Sequence, residues 1–192
     1  MSSVKQLAYN NWDQCYEMHD GQIVALASGT ANHGTVGGNI HAIFKNFLKG
    51  KPCKVWQGSI DVHLTKNDYF VPDVVVVCNQ DIIADNGIFG APDLVVEILS
   101  PSTNKYDRGY KKNLYEKCGI KEYWIVLVET RTIEVYLLRD GKLELDNVYS
   151  ILSDYEIKKL YYEGKDIIAK VFSPSMFSDL VVSLEEVFAD LI

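Results

Sequence analysis

Apolar residues along the chain follow two different periods, and each predicts its own element. From Gly34 to Lys49, the residues Val36, Ile40, Ile43, Phe44, Phe47 and Leu48 recur at helical spacing, with Gly50 placed to end the helix and Pro52 just beyond. Gln22 to Ala27, Lys54 to Trp56, Ile60 to Leu64 and Tyr69 to Val77 read as strands, with Lys66-Asn67-Asp68 as the polar turn between the last two. Asp93 to Leu99 and Glu122 to Val128 carry apolar residues on both faces, the pattern of strands buried inside a sheet. Between them, Ser100 to Asn104 supplies a turn and caps, and a helix runs to about Cys118 with Gly119 as its stop. Ile133 to Leu138 and Lys142 to Leu145 form a hairpin about Asp140-Gly141. A short helix is predicted at Asn11 to Met18, ended by His19-Asp20-Gly21. In the tail, Glu156 to Glu163 fits strand or helix, Ile167 to Phe172 a strand, and Leu184 to Ile192 a closing helix.

Strands interleaved with two good helices predict a mixed α/β domain on a mixed sheet, with the Glu97 strand, crossover helix and Tyr123 strand as a βαβ unit. A length of 192 residues fits one domain, with its core at about 16–138 and an extension over 139–192. The 47% hydrophobic and 23% charged content excludes wholesale disorder and collagen-like structure. No apolar run approaches the ~20 residues that span a bilayer, and the start MSSVKQLAYN lacks a signal-like stretch, so a soluble cytoplasmic protein is expected. Cys15, Cys53, Cys78 and Cys118 are scattered without a C-x-x-C pair, which predicts reduced thiols and neither a zinc site nor a disulfide framework.

The net charge of −7 is uneven. Glu129 to Ile192 holds 7 basic and 13 acidic residues, whereas Met1 to Val128 holds 12 and 13. Two basic stretches stand in the near-neutral part: Lys45, Lys49, Lys51 and Lys54, then Lys105 to Lys121. Either meets phosphates or is a solvated helix face.

Two carboxylates are out of place. Glu97 lies in a strand otherwise buried on both faces, and Asp73 follows Pro72 and opens Val74-Val75-Val76-Val77. A buried carboxylate needs a partner, a proton or a metal. The two either share one divalent cation, since Mg²⁺ often takes only one or two protein carboxylates, or are held by loop caps and lysines. Asp93 lies on the Glu97 face but roughly 13 Å along the strand, too far to share an ion. On the helix after Glu97, Tyr106, Tyr110, Leu114 and Cys118 define the predicted apolar stripe, with Asp107 near its centre, Lys111 roughly 60° from it, and Lys112 on the opposite side. Lys111 either pairs with Asp107 or reaches the carboxylates. His33, at a helix start, caps the loop or contacts a phosphate; Glu17 is locally an ordinary solvent-facing acid. Walker-type, dinucleotide, H-E-x-x-H and G-x-S-x-G motifs are missing, which removes nucleotide and serine hydrolases.

These residues taken together are Tyr16-Glu17 with Asp20-Gly21, Asn32-His33, Pro72-Asp73 before four valines, Ala91-Pro92-Asp93 through Glu97 to Ser100-Pro101-Ser102-Thr103, Asp107-Arg108-Gly109 with Lys111 and Tyr115, and Lys121-Glu122-Tyr123-Trp124. The set resembles the Uma2 family of putative restriction-type endonucleases, over about Tyr16 to Leu138. The resemblance implies a restriction-endonuclease-like core of the PD-(D/E)XK superfamily: a mixed sheet flanked by helices, with acids that bind Mg²⁺ (Mn²⁺ as substitute) for phosphodiester hydrolysis. It makes Asp73 and Glu97 the metal ligands. Leu99 stands where the superfamily lysine would be, and the family's Asp-Arg-Gly-x-Lys pattern puts a migrated catalytic lysine at Lys111. Glu17 resembles the first-helix acid that some members add to the metal site, His33 lies at the site's edge, and Lys112 is a further candidate for substrate contact. The implied partner is DNA, with a homodimer suited to cutting two strands. Two rival readings stand beside this: a catalytically silent nucleic-acid or protein interaction module on the same fold, and a metal-dependent hydrolase of a small phosphorylated compound.

Overall fold

The computed structural model describes residues 16–100, 104–164 and 169–192. The Asn11 to Cys15 part of the first predicted helix, Pro101-Ser102-Thr103, and the first residues of the predicted Ile167 to Phe172 strand lie outside them. The architecture is mixed α+β, with two six-stranded sheets flanked by helices in place of one sheet. The first sheet has the order β2-β1-β5-β4-β8-β7 and uses β1 (Tyr16–His19), β2 (Gln22–Ala25), β4 (Val62–Thr65), β5 (Asp68–Phe70), β7 (Ile83–Ala84) and β8 (Gly87–Phe89). The second has the order β12-β11-β10-β9-β6-β3 and uses β3 (Lys54–Gln57), β6 (Val74–Val77), β9 (Leu94–Ile98), β10 (Glu122–Leu127), β11 (Thr132–Arg139) and β12 (Lys142–Ser150). A small β13–β14 pair (Val171–Phe172, Val182–Ser183) follows.

Tyr69 to Val77 was expected as one strand and is two, in different sheets. Pro72 is the reason: without an N–H it cannot continue a ladder, so the chain turns a corner at Val71-Pro72-Asp73 and changes sheet. Tyr16 to Met18 belong to β1, not to the predicted helix, because Glu17 and His19 alternate inward with Tyr16 and Met18 outward. The β7–β8 hairpin had no counterpart in the sequence reading, and β12 runs on to Ser150.

Helix α1 (Ala31–Phe47) covers one face of the second sheet, packing Val36, Ile40 and Phe44 on Val74, Val76, Val96 and Trp124. Thr30 caps it, its hydroxyl accepting the His33 N–H at 3.2 Å. The C-terminal segment closes the same side: Asn32 exchanges two hydrogen bonds with the Ile192 backbone, and Asn39 donates to Val187 and Ala189 carbonyls. The closing helix is only α4 (Leu184–Val187), whereas Glu156 to Glu163 resolves as helix α3 (Asp154–Tyr162), capped by a Ser153–Glu156 capping box.

The opposite face carries Val75, Val77, Val95, Tyr123 and Ile125, packed under the first sheet and helix α2. Helix α2 spans 104–118 as an α-helical turn (Asn104–Tyr106), a π-helical turn (Asp107–Lys111) and an α-helical end (Lys112–Cys118), stopped by Gly119 at φ 83°. It is the crossover between parallel neighbours β9 and β10, as the βαβ reading expected. All four valines of β6 are fully buried, each contributing roughly 1.5–3 kcal/mol relative to an exposed side chain.

The reduced-thiol expectation fails. The antiparallel β3–β6 register ends at Lys54 opposite Val77, which sets Cys53 against Cys78, and the two form a disulfide. Among the described residues no helix is long and apolar enough to cross a membrane.

Candidate active site

Both anomalous carboxylates sit where the two sheets meet. Asp73 is the corner residue before β6, and its Oδ2 accepts the Ile98 N–H of β9 at 2.6 Å, one residue beyond Glu97. Glu97 stands opposite Ile125 of β10, on the face shared with Val95 and Tyr123 that α2 covers. The Val71 N–H, released from the ladder at the same corner, is taken by Glu17 Oε1 of β1 at 3.1 Å. Three acids thus meet at one proline-directed change of sheet: Asp73 at the corner, Glu17 on β1 and Glu97 on β9.

Lys111 joins them. Its Nζ lies 2.8 Å from Glu17 Oε1, 3.1 Å from Glu97 Oε1 and 3.5 Å from Asp107 Oδ1. Tyr115 donates its hydroxyl to the same Glu97 Oε1 at 2.7 Å, and His19 Nε2 lies 2.8 Å from Glu17 Oε2. Nearer solvent, His33 Nε2 is 3.3 Å from Asp73 Oδ1. The two layers differ in access: the side chains of Glu17, Glu97 and Lys111 are 2%, 5% and 6% exposed, those of Asp73 and His33 23% and 24%. A cleft of about 320 Å³ opens onto both layers, lined by Glu17, His33, Asp73, Glu97, Asp107 and Lys111 among others.

The charges do not balance. Glu17, Glu97 and Asp107 crowd one ammonium, with Asp73 close by. Burial opposes the charge on Lys111, but Glu97, Glu17 and Asp107 outweigh it and hold the ammonium well above the ordinary lysine value. Burial likewise pushes Glu97 up, Lys111 opposes, and the neighbouring Asp107, Asp73 and Glu17 leave it well above the usual carboxylate range. For Glu17, burial is overcome by the His19 hydrogen bond and by Lys111, so its carboxyl falls below the ordinary value. The hydrogen bond to Asp73 outweighs burial and raises His33. One lysine serves several acids, so the cleft gathers carboxylate oxygens, the donor type that Mg²⁺ takes. Among the described residues no group of three or more His, Cys, Asp or Glu is spaced to hold a metal ion. Mg²⁺ commonly takes only one or two protein carboxylates, with water and phosphate oxygens completing its shell, so a cation in this cleft would not need a third acid.

Helix α2 differs from the wheel drawn on its sequence. Tyr106, placed on the apolar stripe, is 49% exposed, and the buried face is Asp107, Lys111 and Tyr115. The π turn spans Asp107–Lys111, and on this buried side Lys111 and Tyr115 bond to the Glu97 carboxylate while Asp107 pairs with Lys111. Lys112, one residue on, points elsewhere: its Nζ donates to the Leu143 carbonyl at 2.8 Å and lies over the Tyr136 ring. Arg108 is held by Glu134 and Lys121 by Asp93, so much of the second basic stretch is already paired. Lys45 lies in the last turn of α1, roughly 18 Å along the axis from His33. Asp93 accepts from the Cys78 N–H and Lys121, apart from the cleft.

His19 is not among the site residues to which the sequence points, and Asp107 enters there only as the i, i+4 partner of Lys111, a pair that the structure contains. The signal for His19 is strand alternation with Glu17, which the helix predicted over Asn11 to Met18 hides; Asp107 already lies near the centre of the predicted inward stripe.

Comparison with known proteins shows the family and the fold. Residues 2–157 match the family model Uma2, described as putative restriction endonuclease. An uncharacterized protein of Synechocystis sp., slr1290, is 32% identical over 158 residues, covering 79% of this chain and 83% of that protein. A second from the same organism, sll1609, is 24% identical over 114 residues, covering 57% and 64%. The crystal structure of a putative nuclease of DUF820 from Anabaena variabilis shares the fold at a TM-score of 0.69 and 19% identity, over 91% of this chain and 90% of that one. With the family model spanning most of its length, the chain belongs to the Uma2 family of putative restriction endonucleases.

Proposed function

We propose that this protein is a Mg²⁺-dependent endonuclease that hydrolyses phosphodiester bonds of DNA in the cleft. The observation that carries the reading is the convergence of Lys111 and Glu97, 3.1 Å apart, beneath the partly exposed Asp73. Asp73 and Glu97 would hold the ion, with Glu17 as an additional acid behind them. When bound, the ion supplies Lewis-acid polarisation of a phosphate oxygen.

The residues do the rest. Lys111 is kept charged by three acids, so its ammonium is available to orient the attacking water or to stabilise charge developing on the phosphate. Tyr115 and Lys111 both occupy Glu97 Oε1, which fixes the plane of that carboxylate. Asp73 is fixed through Oδ2 by the Ile98 N–H, leaving Oδ1 on the side of His33 and the cleft. His33 stands in the first turn of α1, where the helix dipole favours a phosphate.

Calorimetric titration with Mg²⁺ and Mn²⁺ tests the assignment. Binding by the wild type and its loss in both Asp73→Asn and Glu97→Gln, with the fold retained, supports it; equal binding by the three proteins overturns it.

A further inference from the structure

We infer that His19 is a positioning residue: from beneath the cleft it clamps Glu17, and through Glu17 it sets Lys111 against Glu97. This rests on the nuclease reading for its consequence in catalysis, and on geometry alone for the clamp.

The clamp begins with strand alternation. Glu17 and His19 are two apart on β1, so both side chains point to the inner face, where they are 1% and 9% exposed. His19 Nε2 lies 2.8 Å from Glu17 Oε2. The other oxygen, Oε1, accepts from the Val71 N–H at 3.1 Å and from Lys111 at 2.8 Å. Both oxygens of Glu17 are therefore held from opposite sides, and the carboxylate cannot turn without breaking one set of bonds.

The imidazole is fixed in turn. Phe70 meets it edge-on at 5.1 Å and 83°, Tyr110 stacks on it at 5.5 Å and 23°, and Tyr106 leans on it at 5.6 Å. Its Nδ1 is buried and has no hydrogen-bond partner among the described residues. A hydrogen on Nδ1 would be a buried donor without an acceptor, whereas a hydrogen on Nε2 is accepted by Glu17. The surroundings select the tautomer that donates to the acid. His19 itself does not line the cleft, and among the lining residues it is bonded to Glu17, through which it acts.

Two readouts test this on the full chain. Long-range ¹H–¹⁵N spectra, with the His19 signals identified by their loss in His19→Gln, should show hydrogen on Nε2; a His19 ring whose Nε2 carries no hydrogen overturns the clamp. Kinetics on DNA should then show kcat reduced about 10- to 100-fold in His19→Leu with KM unchanged, the scale seen when partners of site ligands are removed. His19→Gln, whose amide nitrogen replaces Nε2, should recover most of the loss. Equal rates in the Leu and Gln variants, or a loss confined to KM, overturn the positioning role. If His19→Leu does not fold, the comparison of His19→Gln with the wild type and the spectra decide the matter. A wild-type protein that cuts no DNA overturns the nuclease reading, while the spectra still decide the clamp.

Discussion

Lys111 Nζ lies 3.1 Å from Glu97 Oε1, although one belongs to the crossover helix and the other to the strand it leaves, 14 residues earlier. The contact closes the βαβ unit over its own strand and neutralises part of a charge that β9 could not otherwise hold in a doubly buried position. Removing the ammonium leaves three acids facing one another. Lys111→Met is predicted to lower the unfolding free energy by about 3–5 kcal/mol at neutral pH, read from urea denaturation. Lys111→Met combined with Glu17→Gln should recover part of that loss; a single variant as stable as the wild type would show that the ion pair is not formed.

Tyr115 is fully buried and gives its hydroxyl to Glu97. Tyr115→Phe keeps the ring and removes the donor, so a destabilisation of about 1–3 kcal/mol is expected, together with slower cleavage. Tyr115→Phe that left both stability and rate untouched would remove Tyr115 from the account.

Glu122 provides a pH test far from the cleft. It is fully buried and accepts from Trp124 Nε1 at 2.6 Å and from the Ser175 N–H and hydroxyl at 2.8 and 2.5 Å, tying the C-terminal segment to β10. Burial pushes its carboxyl above the ordinary 4.5, and the Ser175 and Trp124 bonds only partly oppose this. The folded protein then holds the proton to higher pH than the unfolded chain. Stability from this group is fully present below about pH 4.5 and declines as pH rises through the raised folded value. Wild-type stability relative to Glu122→Gln should fall across that window in urea titrations; a difference that grows with pH contradicts the sign.

The Cys53–Cys78 bridge closes a loop of sequence separation 25. Reduction is expected to lower stability by about 2–4 kcal/mol, and Cys53→Ala/Cys78→Ala should be insensitive to reductant. Identical denaturation curves with and without reductant would contradict the bridge.

Much of the site was legible because misplaced charge is conspicuous in sequence. Glu97 interrupts an apolar strand and Asp73 precedes four valines, so both demanded partners before any contact was known. Lys111 is half inward on the wheel and buried in the fold, where it makes both of the contacts the sequence offered as alternatives, with Asp107 and with Glu97. The second sheet was hidden because Tyr69 to Val77 is continuously apolar apart from Pro72-Asp73, and a corner there looks in sequence like one edge strand. The disulfide was hidden for a related reason: residues 25 apart become neighbours only through the β3–β6 register.

Cleavage of supercoiled plasmid DNA with Mg²⁺, compared among the wild type, Asp73→Asn, Glu97→Gln and Lys111→Met, tests the central claim most directly. The account predicts nicked or linear product from the wild type only, suppressed by chelator and restored by added Mg²⁺. Wild-type cleavage that persists in Asp73→Asn and Glu97→Gln, or a folded wild type that leaves every DNA intact with Mg²⁺ and Mn²⁺, would contradict it.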